Sequence, residues 1–227
     1  GAGILVLGDS HAIDLFGVVA SRGEQPFLIG VTQGGCRPHD NHSNCHYDRV
    51  VNFINTNPTI FDLVIYEQAG YYLLREADGD KGSRAMFSRL SENDSVLDVV
   101  VDEEHIRLTS EFLLKIADVV SVNWFLPRAE PHISSKIVLK RGCEFEYSYR
   151  PNLYETFILL DDYITDIVNS YSIKRLKVVS QNEMFQFDFP TDFLTCDTIY
   201  WSDGDHFSAS GEEYFGRRIT QELFERE

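Results

Sequence analysis

Positive charge is scarce in this chain. Lys and Arg number 20 against 36 Asp and Glu in 227 residues, a formal net charge of −16. An excess of that size repels phosphate backbones and anionic headgroups, so nucleic-acid binding and docking to acidic lipid are disfavoured. Uncharged substrates such as sugars and esters are unaffected. Long apolar runs are also missing. The longest uncharged one, inside Val119 to Leu126, falls far short of the ~18 residues a membrane-spanning helix needs. There is no internal repeat, low-complexity segment or linker. What remains is a globular composition, 43% apolar and 25% charged, which excludes intrinsic disorder and fibrous repeats. A chain of this length buries a sizeable core, and one domain over residues 1–227 is the expectation.

Cysteine is sparse but even in number: Cys36, Cys45, Cys143 and Cys196. In the stretch Cys36 to His46, two Cys and the histidines His39, His42 and His46 crowd into eleven residues. Three readings stand there: a disulfide closing a surface loop, a zinc site, or free thiols. The cluster lacks the paired-knuckle layout of common zinc sites, which favours the disulfide. Cys143–Cys196 then follows by elimination, and both point to an oxidising compartment. The chain opens almost at once on a strand-like run, the pattern of a domain excised from a longer protein or of one with its leader removed.

Ile4–Leu7, Phe27–Val31, Leu63–Tyr66, Asp118–Phe125 and Leu176–Val179 read as short buried strands. Helical spacing runs through Ala12–Ser21, Tyr47–Asn55, Glu104–Ala117, the stretch from Pro151 to Tyr171, and Ser210–Arg226, where Ser210 and Glu213 suggest a capping box. The alternation predicts an α/β fold, a flavodoxin-like three-layer sandwich around a mostly parallel five-stranded sheet. Residues 73–103 and 129–150 read as irregular insertions.

Ligands of such sheets bind beyond the carboxyl ends of the strands. Ser10 sits where the first strand turns into a helix, so its hydroxyl lies near free N–H groups able to stabilise an oxyanion. It needs a base to become a nucleophile; alone, Asp9 or Ser10 is as well explained as a helix cap. His206 lies three residues after Asp203, and a carboxylate so placed can hold an imidazole in the tautomer a general base requires. Asp205, between them, is either solvated or a competing orienting carboxylate. His11 reads as a packing or capping residue, and His105 and His132 as surface residues. Tyr71, Tyr72, Trp124 and Trp201 read as core or rim packing rather than sugar platforms.

Gly8-Asp9-Ser10-His11-Ala12 on the first strand, with Asp203-x-x-His206 before the last helix, resembles the SGNH (GDSL-type) hydrolases and acyltransferases over nearly the whole chain. The extended serine motif and Gly35-Cys36-Arg37-Pro38 are most similar to one branch. That branch is the periplasmic SGNH domain fused behind membrane-bound acyltransferase-3 domains, which O-acetylate bacterial surface polysaccharides, lipopolysaccharide among them. The resemblance implies Ser10 as nucleophile, His206 as general base and acid, and Asp203 as its orienting carboxylate. The oxyanion hole would be formed by the N–H groups of Ser10 and of Gly34 or Gly35. It also implies an acyl donor, a glycan hydroxyl acceptor, an acyltransferase-3 domain in the same inner-membrane parent chain, and no metal or organic cofactor. One departure stands out: the family's Gly-x-Asn-Asp after the third strand is replaced by Glu67-Gln68-Ala69-Gly70. Gln68 is the substitute donor on offer, and the acyltransferase-fused branch shares the missing Asn. The rival expectations are a non-catalytic glycan-binding scaffold, a free-standing carbohydrate esterase, and a zinc hydrolase built on the Cys/His loop.

Overall fold

The computed structural model describes residues 3–23, 27–40, 45–77 and 99–224. Its strands are β1 (Gly3–Gly8), β2 (Leu28–Thr32), β3 (Phe61–Glu67), β4 (Leu74–Glu76), β5 (Val99–Val101), β6 (Ser121–Leu126) and β7 (Leu176–Ser180). Five of them form one sheet in the order β2-β1-β3-β6-β7, with all four pairings parallel. The helices are α1 (Ser10–Ser21), α2 (Tyr47–Thr56), α3 (Glu103–Ala117), α4 (Ser135–Arg141), α5 (Leu153–Ser170), α6 (Gln181–Phe185) and α7 (Ala209–Gly216).

The strands read as continuous apolar runs because both faces are covered. Leu5 and Leu7 point with Val64, Tyr66, Val122 and Trp124 towards α2, α3 and α5. Ile4 and Val6 point the other way with Ile65 and Phe125, against α1, α6 and α7. Thus the expected three-layer α/β architecture is present. Among the described residues no helix is long and apolar enough to cross a membrane.

The strand order reverses at β1, which has β2 on one side and β3 on the other. This is the switch point, where the carboxyl ends diverge and leave a crevice. Gly8 closes β1 there at φ +150°, and a Cβ on it would lie 1.8 Å from the Glu67 carbonyl oxygen. Only glycine lets β1 and β3 end this close together, and that approach sets the entry into α1.

Several local expectations need correction. The ends of segment 73–103 are ordered: β4 and β5 pair antiparallel, and α3 begins at Glu103; residues 78–98 lie outside the described residues. Segment 129–150 contains α4. The last helix is capped by Ser208, whose hydroxyl accepts from Gly211 N–H at 3.1 Å, and it ends at Gly216 rather than Arg226. Ser208 has the extended backbone that frees a capping hydroxyl, whereas Ser210 is already helical. Both disulfides are present, Cys36–Cys45 with Cα atoms 5.4 Å apart and Cys143–Cys196 at 5.0 Å. Cys36 and Cys45 therefore offer no thiolates, which removes the zinc reading of that loop. His42 lies outside the described residues, while His46 is exposed.

Behind β6 and β7, Asp161 on α5 is buried and accepts from the Ser180 hydroxyl and from Asn182 Nδ2 at 3.0 Å. Burial pushes its carboxyl up to about 7, against those hydrogen bonds. A folded pKa above the unfolded one contributes stability below the unfolded value, and that contribution is lost as pH rises through about 7. Asp161→Asn carries no such proton. In melting curves at about pH 5 and pH 8.5, the variant should gain about 2 kcal/mol on the parent at the higher pH. Parallel curves would show that Asp161 does not titrate in this range.

Candidate active site

The crevice is built from the residues that end β1, β3 and β6 and from the loop before α7. Asp9 is buried and spans the first gap: Oδ1 accepts His11 N–H and Oδ2 accepts Ala69 N–H, both at 3.0 Å. It is thus the N-cap of α1 and a clamp onto the segment after β3. Ser10 opens α1, half-buried, and its hydroxyl has no hydrogen-bond partner among the described residues. The Gly34–Gly35 turn follows β2, with Gly35 at φ +78°. It is held from behind by the Cys36–Cys45 disulfide and by Tyr47, whose hydroxyl donates to the Cys36 carbonyl at 2.7 Å. The Arg37 guanidinium lies 3.2 Å above the Tyr72 ring and ties the turn to the segment after β3.

The Asp203-to-His206 loop is a closed turn. Asp203 Oδ1 accepts the N–H groups of Asp205 at 3.0 Å and His206 at 2.8 Å. The same carboxylate accepts from His206 Nδ1, at 3.2 and 3.1 Å to its two oxygens. The spacing of three thus lets one side chain shape the loop and hold the ring. Asp205 is not merely solvated: its Oδ1 is 3.3 Å from His206 Nδ1 and its Oδ2 is 3.7 Å from His11 Nε2. His206 Nε2 is buried and has no hydrogen-bond partner among the described residues. No hydrogen bond joins it to Ser10, but its ring lies 5.0 Å from that of His11, the next residue along.

Hydrogen bonds that the ring donates to Asp203 and Asp205 hold His206 up to about 10. The two carboxylates thus favour the charged form of this imidazole. For Asp205, burial acts upward, but the two imidazoles outweigh it and hold the carboxyl well below the usual range.

Three groups unassigned in the sequence carry the scaffold of the crevice. Arg128 follows β6, is fully buried, and donates to Glu67 Oε1 at 2.7 Å, to Asp14 Oδ2, and to the Asp205 carbonyl at 3.1 Å. Asp14 Oδ2 also accepts Phe207 N–H at 2.9 Å. Glu67, at the end of β3, accepts further from Gln181 Nε2 at 2.6 Å. One guanidinium thus joins β3, α1 and the histidine loop. The signal in sequence was an isolated charge at the end of each of two apolar strands, of opposite sign, with a third on the buried stripe of α1.

Two histidines read as surface residues are partly buried instead. His132 Nε2 lies 3.1 Å from Glu130 Oε2, and its N–H donates to the Gly204 carbonyl at 2.7 Å. His105 Nδ1 donates to the Tyr72 carbonyl at 2.9 Å, and its ring stacks on His39 at 4.1 Å. His11 is fully buried as a packing reading requires, but among charges: Glu130 Oε1 lies 3.5 Å from its Nδ1. Burial disfavours its cation, yet Glu130 and Asp205 prevail and raise it to about 9. Gln68 is fully buried; its Oε1 accepts the Tyr66 hydroxyl at 2.5 Å and its Nε2 has no hydrogen-bond partner among the described residues. Tyr71, Trp124 and Trp201 are buried core aromatics.

The chain matches no family model and no curated protein. Among solved structures it is similar to a carbohydrate acetylesterase from Sinorhizobium meliloti, with 11% identity, a TM-score of 0.55, and 99% of each chain covered. A putative SGNH hydrolase from Slackia heliotrinireducens aligns at 12% identity and a TM-score of 0.52, over 96% of this chain and 97% of that one. An acetyl xylan esterase aligns at 12% and 0.52, over 95% and 96%. At these identities the likeness is one of fold: the chain has the SGNH hydrolase fold.

Proposed function

We propose that this protein is a serine acyl-transfer enzyme that moves O-acetyl groups on a bacterial cell-surface polysaccharide. Ser10 is the nucleophile, His206 the general base and acid, and Asp203 its orienting carboxylate. Ser10 Oγ attacks the acyl carbonyl and its proton passes to His206 Nε2. The Ser10 N–H and that of Gly34 or Gly35 receive the oxyanion. As the tetrahedral intermediate collapses, His206 returns the proton to the departing oxygen. The acyl-serine then transfers its acyl group to water or to a sugar hydroxyl.

The observation that carries this reading is the Asp203-fixed imidazole, with an unpartnered Nε2, beside the start of α1, where Ser10 has an unpartnered hydroxyl. The fold adds weight, since similarly folded proteins include a carbohydrate acetylesterase and an acetyl xylan esterase. Two disulfides suit an extracytoplasmic location. The Gly-Asp-Ser-His-Ala and Gly-Cys-Arg-Pro motifs favour a periplasmic domain of an inner-membrane acyltransferase-3 protein over a free-standing esterase.

The test is hydrolysis of p-nitrophenyl acetate and release of acetate from O-acetylated polysaccharide. Because the base form of His206 is required, kcat/KM should climb about tenfold per pH unit from about pH 6 to about pH 9. Asp205→Asn, by removing one carboxylate from the ring, should move the climb to lower pH. Absence of acyl release from both substrates across that range would contradict the proposal and leave the glycan-binding scaffold as the reading.

A further inference from the structure

The polar floor of the crevice holds more ligating groups than proton transfer uses. His11 and His206 each have a carboxylate beside Nδ1, Glu130 at 3.5 Å and Asp203 at 3.1 Å. Each has an Nε2 that is buried and without a hydrogen bond among the described residues. Asp205 reaches both rings, its Oδ2 3.7 Å from His11 Nε2 and its Oδ1 3.3 Å from His206 Nδ1. One donor atom from each of His11, Asp205 and His206 lies within 4.8 Å of the others.

A carboxylate behind Nδ1 is how proteins orient a histidine to ligate a metal through its other nitrogen. Metal–ligand bonds of about 2.0–2.1 Å in a tetrahedral zinc site place neighbouring ligand atoms roughly 3.3 Å apart; the 3.7 Å from His11 Nε2 to Asp205 Oδ2 is near that, and the donors of all three residues lie within 4.8 Å of one another. His11 makes the strongest case. Its ring is fully inaccessible, and a buried polar atom with no hydrogen bond is costly unless something binds it. In the proposed acyl-transfer chemistry His11 touches neither the nucleophile's proton nor the oxyanion.

We propose that His11, Asp205 and His206 form a binding site for a divalent transition metal, Zn²⁺ being the fitting ion, and that its occupancy switches acyl transfer off. Binding releases the protons of the two imidazoles to solvent, so that two neutral rings and one carboxylate supply the donor set, and the fourth position is left to water. No bond is made or broken in the substrate. The ion withdraws His206 from proton transfer and is thus an inhibitor rather than a cofactor. The inhibitory half rests on the function proposed above, while the binding half does not.

The experiment separates the two. Zinc chloride is titrated calorimetrically into tag-free Ser10→Ala protein, which keeps all three ligands and needs no activity. One Zn²⁺ per chain is expected, with affinity falling at least about tenfold in Asp205→Asn and in His11→Asn. Circular dichroism establishes that each variant is folded. His105→Gln, which alters the stacked pair with His39 outside the crevice, should bind as the parent does. Lack of binding, or binding that survives both Asp205→Asn and His11→Asn, overturns the proposal. So does binding lost only in His105→Gln. With the parent enzyme, p-nitrophenyl acetate turnover should fall on adding Zn²⁺ and return with a chelator. Stoichiometric binding that leaves turnover unchanged would overturn the inhibitory half alone.

Discussion

Ser10→Ala should lower turnover of p-nitrophenyl acetate by at least about 10³-fold while leaving the melting temperature near that of the parent. Both halves follow from the surroundings of the hydroxyl. Ser10 is half-buried, its Oγ has no partner among the described residues, and the N-cap duty belongs to Asp9. Removing the oxygen therefore strands no buried donor or acceptor, and alanine is a good helix former. The loss is confined to chemistry. His206→Ala should match it within about tenfold, because groups that act as a unit are not additive when removed singly. A Ser10→Ala protein that turns over as the parent does would exclude Ser10 as nucleophile.

Arg128→Met should destabilise the fold by about 3–5 kcal/mol, roughly 10 °C in melting temperature for a chain of this size. The methionine fills much of the volume but leaves Glu67 and Asp14 buried without their shared cation. Burial already pushes Glu67 up to about 7, with Arg128 acting against it. Without the guanidinium that carboxyl should take up a proton near neutrality, so the loss should be greatest at alkaline pH. Arg128→Lys restores the charge but not the fork that reaches Glu67, Asp14 and the Asp205 carbonyl together, and should recover only part of the stability. An Arg128→Met protein as stable as the parent would show that this network contributes nothing net. Because Arg128 also holds the loop that carries His206, residual activity at a temperature where the variant is folded separates the loss of positioning from the loss of stability.

Much of the architecture was legible in the sequence because parallel strands buried on both faces leave apolar runs that need no partner to be recognised. Leu63–Tyr66 and Leu176–Val179 fall within β3 and β7. Where the reading failed, the deciding information was non-local or conformational. β4 and β5 have three residues each and are separated by more than twenty in sequence, too short for a period to show. Ser208 and Ser210 are the same residue type two positions apart, and only the extended backbone at Ser208 makes it the cap. The Asp203-x-x-His206 pair was visible because its geometry is contained in four residues. Arg128, Glu67 and Asp14 were not linked, since each is separated from the others by at least fifty residues in the chain. The charged setting of His11 was hidden for the same reason: Glu130 and Asp205 reach it from distant loops.

The central claim is that the reaction passes through an acyl group on Ser10. Its most direct test is an acid quench of the protein during turnover of p-nitrophenyl acetate, followed by peptide mass analysis. One acetyl group is expected on the peptide containing Ser10, more of it in His206→Ala if deacylation is slowed further than acylation, and none in Ser10→Ala. Steady turnover with Ser10 unmodified, or with the acetyl group on another residue, would contradict it.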